Sequence, residues 1–247
     1  MGDALLKRRR PNGGRIGIIS GSGPEAGIDL WKKMLDANKK QRGKQFHGDL
    51  EAPEVSVDSI PELGLSMDLK RNEKSVWNFL EAAARDLAPR TDLFCIACHT
   101  LHYFSDDIIK LELPSRYVSM VDSVTRYVRD NEIPKVAILG SRSVMELGKW
   151  SPYAALQSLV EIERPTNRIA QTNKLILQIK RLGSDAPSVR RNLQTLISEL
   201  KSETVLLACT ELSMVRVDVS GKHLIDPTLL LANDVVRLSL SMNGQRS

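Results

Sequence analysis

Arg15-Ile-Gly-Ile-Ile-Ser-Gly-Ser-Gly23 returns in altered form as Lys135-Val-Ala-Ile-Leu-Gly-Ser-Arg-Ser143. Each stretch is a basic residue, a short apolar run and a turn of small residues, the pattern of a buried parallel strand running into a loop. A second landmark follows each in the same order: an apolar run ending in Ala97-Cys98-His99-Thr100, and another ending in Ala208-Cys209-Thr210-Glu211. Two landmarks repeated in order predict two related halves.

Working outward, further apolar runs lie at 55–58 and 117–121, and segments of helical period lie between the runs, at 73–87, 122–130, 167–182, 187–201 and 227–241. In the first of these, Val76, Leu80, Ala83 and Leu87 make one apolar stripe. Alternation of this kind predicts an α/β protein with two pseudo-symmetric domains, mostly parallel sheets flanked by helices, and an active site in the cleft between them. The expected division is a disordered basic tail over 1–14, with Gly13-Gly14 as its hinge. A first domain covers 15–113, completed by a carboxy-terminal helix over 225–247, and a second covers 114–224.

The 247 residues, with 42% hydrophobic and 26% charged, suffice for a core without disulfide or metal support. Lys7, Arg8, Arg9, Arg10 and Arg15, against Asp3, account for most of the net charge of +5, so the excess lies in the tail while the body is nearly neutral. With aromatics at only 4%, no stacking platform for bases is evident, and nucleic acid is not an expected partner. No apolar stretch follows Arg10 as in a signal peptide, and none approaches the length of a membrane span. The reading therefore places the protein in the cytoplasm, away from membranes, and its three cysteines outside a disulfide framework.

Ser20-Gly21-Ser22-Gly23-Pro24-Glu25-Ala26 opens a helix, with Ser22 and Glu25 at capping-box spacing, and the amino end of that helix could receive a carboxylate. The same string fits Gly-x-Gly-x-x-Ala, but the acidic ribose partner of a dinucleotide site should follow about 20 residues on, where the chain is basic, Lys39-Lys40-Gln41-Arg42. Cys95-Ile-Ala-Cys98-His99 spells a haem-attachment motif and a Cys-x-x-Cys pair. Haem attachment would need export, and zinc would need further ligands. Cys95 falls inside the apolar run and is expected to be structural. Cys98 and Cys209 fall at strand ends, where parallel sheets gather functional groups, and both are followed by polar residues.

Ile18-Ile-Ser-Gly-Ser-Gly-Pro24, Ala97-Cys-His-Thr-Leu-His-Tyr103, Ala208-Cys-Thr-Glu-Leu212 and Ile225-Asp-Pro-Thr228 resemble the ordered signature segments of the aspartate/glutamate racemase superfamily. The likeness runs from Arg15 to about Leu240, and Cys-Thr-Glu is nearer the aspartate racemase branch. The resemblance implies a cofactor-independent amino-acid racemase acting on aspartate, glutamate or a related amino acid. Cys98 and Cys209 would be its paired acid and base, neither metal nor pyridoxal group would be required, and the assembly would be a homodimer. Gly21, Ser22, His99, Thr100, Ser141 and Thr210 are the expected substrate contacts, with His102 and Glu211 orienting or tuning the thiols. Alternatives are a related two-cysteine isomerase of the maleate-isomerase or hydantoin-racemase kind, and an inactive small-carboxylate-binding protein of the same fold.

The chain departs from the family pattern at several positions. His99 stands where asparagine is usual, Ser20-Gly-Ser-Gly-Pro24 replaces Gly-Gly-Met-Gly-Pro, and Gly140-Ser-Arg-Ser-Val144 replaces Ala-Thr-x-Gly-Thr. There is also no Pro-Asp-Arg segment to hold a distal carboxylate. The departures bear on substrate more than on chemistry, and Arg142 is a further candidate for gripping a carboxylate.

Overall fold

The computed structural model describes residues 13–242. The first half contains β1 (Ile16–Ser20), α1 (Pro24–Arg42), β2 (Val55–Ser59), α2 (Leu69–Leu87), β3 (Leu93–Ile96), α3 (Ser105–Lys110) and β4 (Arg116–Val118). After α4 (Met120–Asp130) come β5 (Lys135–Gly140), α5 (Arg142–Glu146), β6 (Glu161–Glu163), α6 (Ile169–Leu182), α7 (Pro187–Ser198), β7 (Thr204–Ala208), α8 (Thr210–Met214), β8 (His223–Ile225) and α9 (Pro227–Ser241). Two four-stranded sheets result, ordered β2-β1-β3-β4 and β6-β5-β7-β8, with every pairing parallel. Their orders match strand for strand, so β1 corresponds to β5 and β3 to β7, and the two repeated landmarks occupy the two central strands of each sheet.

All five residues of β1 are buried, as expected of a central parallel strand covered on both faces. One face of the first sheet packs on α1 and α9, where Ile16, Ile18, Leu30, Met34, Leu231 and Val235 share a core. The other packs on α2, whose stripe Val76, Leu80, Ala83 and Leu87 meets Ile19, Phe94 and Ile96. In the second sheet, Leu139, Val205 and Leu207 meet Leu175, Ile176 and Leu196 from α6 and α7 on one face. On the other face, Ile138 and Leu206 meet Val124 and Val128 of α4. Fully burying one such aliphatic side chain contributes roughly 1.5–3 kcal/mol. Among the described residues no helix is long and apolar enough to cross a membrane.

Four expectations change. Gly14 is part of the fold, since its N–H donates to the Ser239 carbonyl at 2.9 Å while Ser239 Oγ donates back to the Gly14 carbonyl at 2.7 Å. Gly14 therefore does not belong to the expected tail, whose residues 1–12 lie outside the described residues. The boundary between 113 and 114 precedes β4, which pairs with β3 through Arg116 opposite Leu93 and belongs to the first sheet. The closing helix begins at Pro227 because Ile225 ends β8 and Asp226 caps the helix, accepting from the N–H groups of Thr228 and Leu229; residues 243–247 lie outside the described residues. The capping box is not made. Gly23 is the N-cap residue of α1, with no side-chain cap, and Ser22 is engaged elsewhere.

Candidate active site

Strands β1, β3, β5 and β7 all release their chains at the same ends of the two sheets, and those loops meet. Cys98 follows β3, and Cys209 is the residue after β7 and the N-cap position of α8. Both thiols are 7% exposed. The Ser22 hydroxyl hydrogen-bonds Cys98, as does the Leu101 backbone N–H. Ser66 lies within 2.9 Å of Ser22 Oγ and 4.0 Å of Cys98 Sγ. Cys209 donates to Glu211 Oε2 at 2.9 Å, and Thr210 Oγ1 donates to the same oxygen at 3.1 Å. The other carboxylate oxygen of Glu211 pairs with Lys180 Nζ.

The first half reaches this group through Gly23. Its φ of 95° lies in the left-handed region, and a Cβ there would come within 2.4 Å of Glu211 Oε1 and 3.0 Å of Lys180 Nζ. Glu211 thus lies against Gly23 at the amino end of α1. Gly21, with φ of 122°, is needed for close approach, because a Cβ would lie 1.9 Å from the Ile60 carbonyl oxygen. That contact holds the segment leading to Ser66 over the Ser22 loop. Two more bonds join the halves: Thr100 Oγ1 to Ser141 Oγ at 3.0 Å, and His99 Nδ1 to the Tyr153 hydroxyl at 2.8 Å.

Burial pushes the Cys98 thiol up, while the Ser22 and Leu101 hydrogen bonds and the Lys180 charge pull it back. Burial pushes Cys209 up much further, and the Glu211 carboxylate adds to that rise, as does the charge of Cys98. Each thiol therefore feels the same Lys180 and Glu211, with Cys209 held more firmly as the thiol. Burial lowers Lys180, but Glu211 and the two thiols outweigh it, so the ammonium is retained. His99 is buried and driven well below the usual imidazole range, so it is neutral near pH 7.

Of the expected site residues, Ser22, Cys98, Cys209, Thr210 and Glu211 are joined in this group, while Thr100 and Ser141 bond each other across the two halves and His99 bonds Tyr153. His102 does not touch a thiol. Its Nδ1 pairs with the Tyr117 hydroxyl, and it lines a separate surface cavity with Asp106, Ser119 and Lys149. Burial lowers its pKa to about 4. Arg142 is turned outward, more than half exposed, and pairs with Glu146 at 3.3 Å, one helical turn along α5. Lys180 and Ser66 are additions that carry no local sequence signal. Among the described residues no three His, Cys, Asp or Glu side chains come together as a metal site.

Cys95 is fully buried within β3, its Sγ 3.6 Å from the Gly17 carbonyl, and burial raises its pKa far above the usual thiol range. Cys95→Ala is expected to fold, to lose about 1 kcal/mol of stability and to keep its chemistry. Denaturant unfolding and a turnover assay on the same preparation check this, and a folded variant without turnover would place Cys95 in the chemistry.

Residues 16–235 match the family model described as Asp/Glu/Hydantoin racemase. The fold is similar to that of an aspartate racemase from Picrophilus torridus, with a TM-score of 0.77 at 19% identity, covering 92% of this chain and 94% of that one. It is similar also to an aspartate racemase homologue from Pyrococcus horikoshii OT3, with a TM-score of 0.70 at 22% identity, covering 91% and 98%. A glutamate racemase from Francisella tularensis, solved with D-glutamate, aligns with a TM-score of 0.58 at 14% identity over 94% and 83%. At these identities the likeness is one of fold.

Proposed function

Since the chain belongs to the Asp/Glu/hydantoin racemase family, we propose that it racemises an amino acid by passing the Cα proton between Cys98 and Cys209, without a cofactor. The observation that carries the reading is the placement of two thiols at equivalent strand ends of two matching sheets, both acted on by one Lys180–Glu211 pair.

A Cα proton is weakly acidic, and inversion needs its removal from one face and its return to the other. Two monoprotic groups on opposite sides do this without releasing the intermediate. Cys98, relieved by Ser22, the Leu101 N–H and Lys180, is the thiol better suited to ionise and take the proton. Cys209, kept protonated beside Glu211, is suited to return one. As the proton leaves, negative charge spreads onto the substrate carboxylate. The Lys180 ammonium and the hydroxyls of Ser22, Ser66, Thr100, Ser141 and Thr210 are the groups placed to stabilise it. In the reverse direction the roles exchange. The dimer implied by the resemblance belongs to this same reading, as does the cytoplasmic location expected from the sequence.

The test is incubation of single enantiomers of a panel of amino acids with the purified protein and no added cofactor, followed by chiral separation. Racemisation of at least one amino acid is expected. Ligand binding that stabilises the protein, with no racemisation of any panel member, would contradict the proposal.

The pH dependence follows from the thiols. The Cys98 pKa is raised, so at neutral pH most molecules hold the thiol and only a minority the thiolate that starts the reaction. Turnover under kcat/KM conditions is expected to rise with pH from neutrality into the alkaline range, and to fall again only when Cys209 also loses its proton. A rate that declines from pH 7 upward would remove Cys98 as the base.

A further inference from the structure

Ser22 and Ser66 carry two hydroxyls buried where packing alone would favour apolar side chains. Ser22 is 4% exposed and Ser66 1%, and the thiol beside them, Cys98, shares its cluster with Leu63, Leu69, Leu101 and Phe104. Burying a hydroxyl costs free energy unless it is hydrogen-bonded. The two oxygens lie 2.9 Å apart, Ser22 hydrogen-bonds Cys98, and Ser66 Oγ is 4.0 Å from the same sulfur. Ser66 belongs to a 3-10 helix, Pro61–Asp68, whose approach is fixed by Ile60. The Ile60 N–H donates to the Ser20 carbonyl at 3.0 Å, and its carbonyl comes too close for any Cβ on Gly21. Ser22 also stands where the family pattern has methionine, so the hydroxyl pair belongs to this chain and not to that pattern.

A serine hydroxyl has one proton and can turn it toward either neighbour. Turned toward Ser66, the Ser22 proton would be lost to the sulfur. With Ser66 donating to Ser22, that proton is directed at Cys98, and the accepted bond makes Ser22 the stronger donor. We propose that Ser66 is a positioning residue for Cys98, acting through Ser22, whose proton it keeps aimed at the sulfur. A thiolate gains far more from such a bond than a thiol, which is a weak acceptor, so the pair favours ionisation. Of the charged groups that act on Cys98, Glu211 of α8 opposes its ionisation and Lys180 of α6 favours it, while Cys209 is itself held protonated by the Cys98 charge. When Cys98 takes the Cα proton, the sulfur becomes S–H and each serine keeps its own proton. The Ser22 hydroxyl is then released toward the charge forming on the substrate carboxylate. The inference rests on Cys98 as the base of the two-thiol reading and adds the residue that prepares it.

The test reads ionisation without any substrate, so its outcome is separate from that of the racemase reading. In Cys209→Ser, with Cys95 held far above the usual thiol range by burial, Cys98 is the cysteine that titrates. Its thiolate is followed by ultraviolet absorbance against pH, and the signal of the Cys98→Ser, Cys209→Ser double variant is subtracted to remove the tyrosines. In this background Ser22→Ala is expected to raise the midpoint by about one pH unit, and Ser66→Ala by about half a unit, or about threefold less thiolate at a given pH. Each change removes a single oxygen, and cooperative unfolding checks that the fold is kept. Ser66→Ala added to Ser22→Ala should shift the midpoint by less than half as much as Ser66→Ala does alone, because the mediating hydroxyl is already gone. An unmoved midpoint in a folded Ser66→Ala protein would overturn the inference, and so would a shift that adds in full to that of Ser22→Ala. With Cys209 restored, the rising limb of kcat/KM against pH should move upward in Ser66→Ala, and a limb that stays in place would also count against it. A shifted midpoint in a protein that racemises nothing would keep the Ser66–Ser22 pair and remove the racemase reading.

Discussion

Cys98→Ser and Cys209→Ser are each expected to lose racemase activity by at least about 10³-fold, because a serine hydroxyl is far too weakly acidic to stand in for a thiol as acid or base. Both positions are buried, and serine is nearly isosteric with cysteine, so both variants should fold. The informative part is what survives. Each variant keeps one thiol on one side of the substrate, and each should exchange the Cα proton of a single enantiomer with solvent, the two variants choosing opposite enantiomers. Cys209→Ser retains the Ser22, Leu101 and Lys180 contacts that favour the Cys98 thiolate, and it is expected to be the faster of the two. Separate incubation of pure L and D substrate in deuterium oxide checks this. Exchange of the same enantiomer by both variants would contradict the assignment of one thiol to each face.

Lys180→Met should have the next largest effect. Glu211 has 5% of its side chain exposed and Lys180 has 26%, so removing the ammonium leaves a nearly buried carboxylate with no counter-charge. The expected stability loss is roughly 2–3 kcal/mol, at or below the low end for a buried pair because the lysine keeps some solvent. Without Lys180 the Cys98 thiol rises further and the developing charge on the substrate loses its cation, so turnover should fall by at least about 100-fold. The double variant Lys180→Met with Glu211→Gln separates the two roles: most of the stability should return, and the turnover should not. Turnover within a few-fold of the parent in Lys180→Met would confine the ion pair to a structural role.

The central strands were legible because they are buried on both faces and read as unbroken apolar runs, Ile16 to Ser20 and Val136 to Gly140 being the plainest. The two cysteines were legible because the repeat marks them as equivalent, before any contact is known. Edge strands β6 and β8 were missed. With three residues each, Glu161-Ile-Glu163 and His223-Leu-Ile225, they are too short to show a period and too exposed to read as apolar. The Ser22 capping box was local chemistry overridden by tertiary contact, since Ser66, which no motif marks, sits 2.9 Å away and takes the hydroxyl. Lys180 was illegible for the same kind of reason. Beside Arg181 near the end of α6 it reads as a solvated, dipole-compensating lysine, and only the packing of α6 against α8 brings it to Glu211. Tyr153 is likewise fixed to His99 by folding alone.

The most direct test of the two-thiol account is the early fate of the Cα hydrogen during racemisation by the unmodified protein in deuterium oxide. A thiol carries one proton. The base that removes protium from the substrate keeps it, while the opposite thiol, already exchanged with solvent, delivers deuterium. The account predicts that, at low conversion, the product enantiomer carries deuterium at Cα while the unreacted enantiomer still carries protium. Product that retains the original protium would mean that a single group removes and returns the proton, and would contradict it.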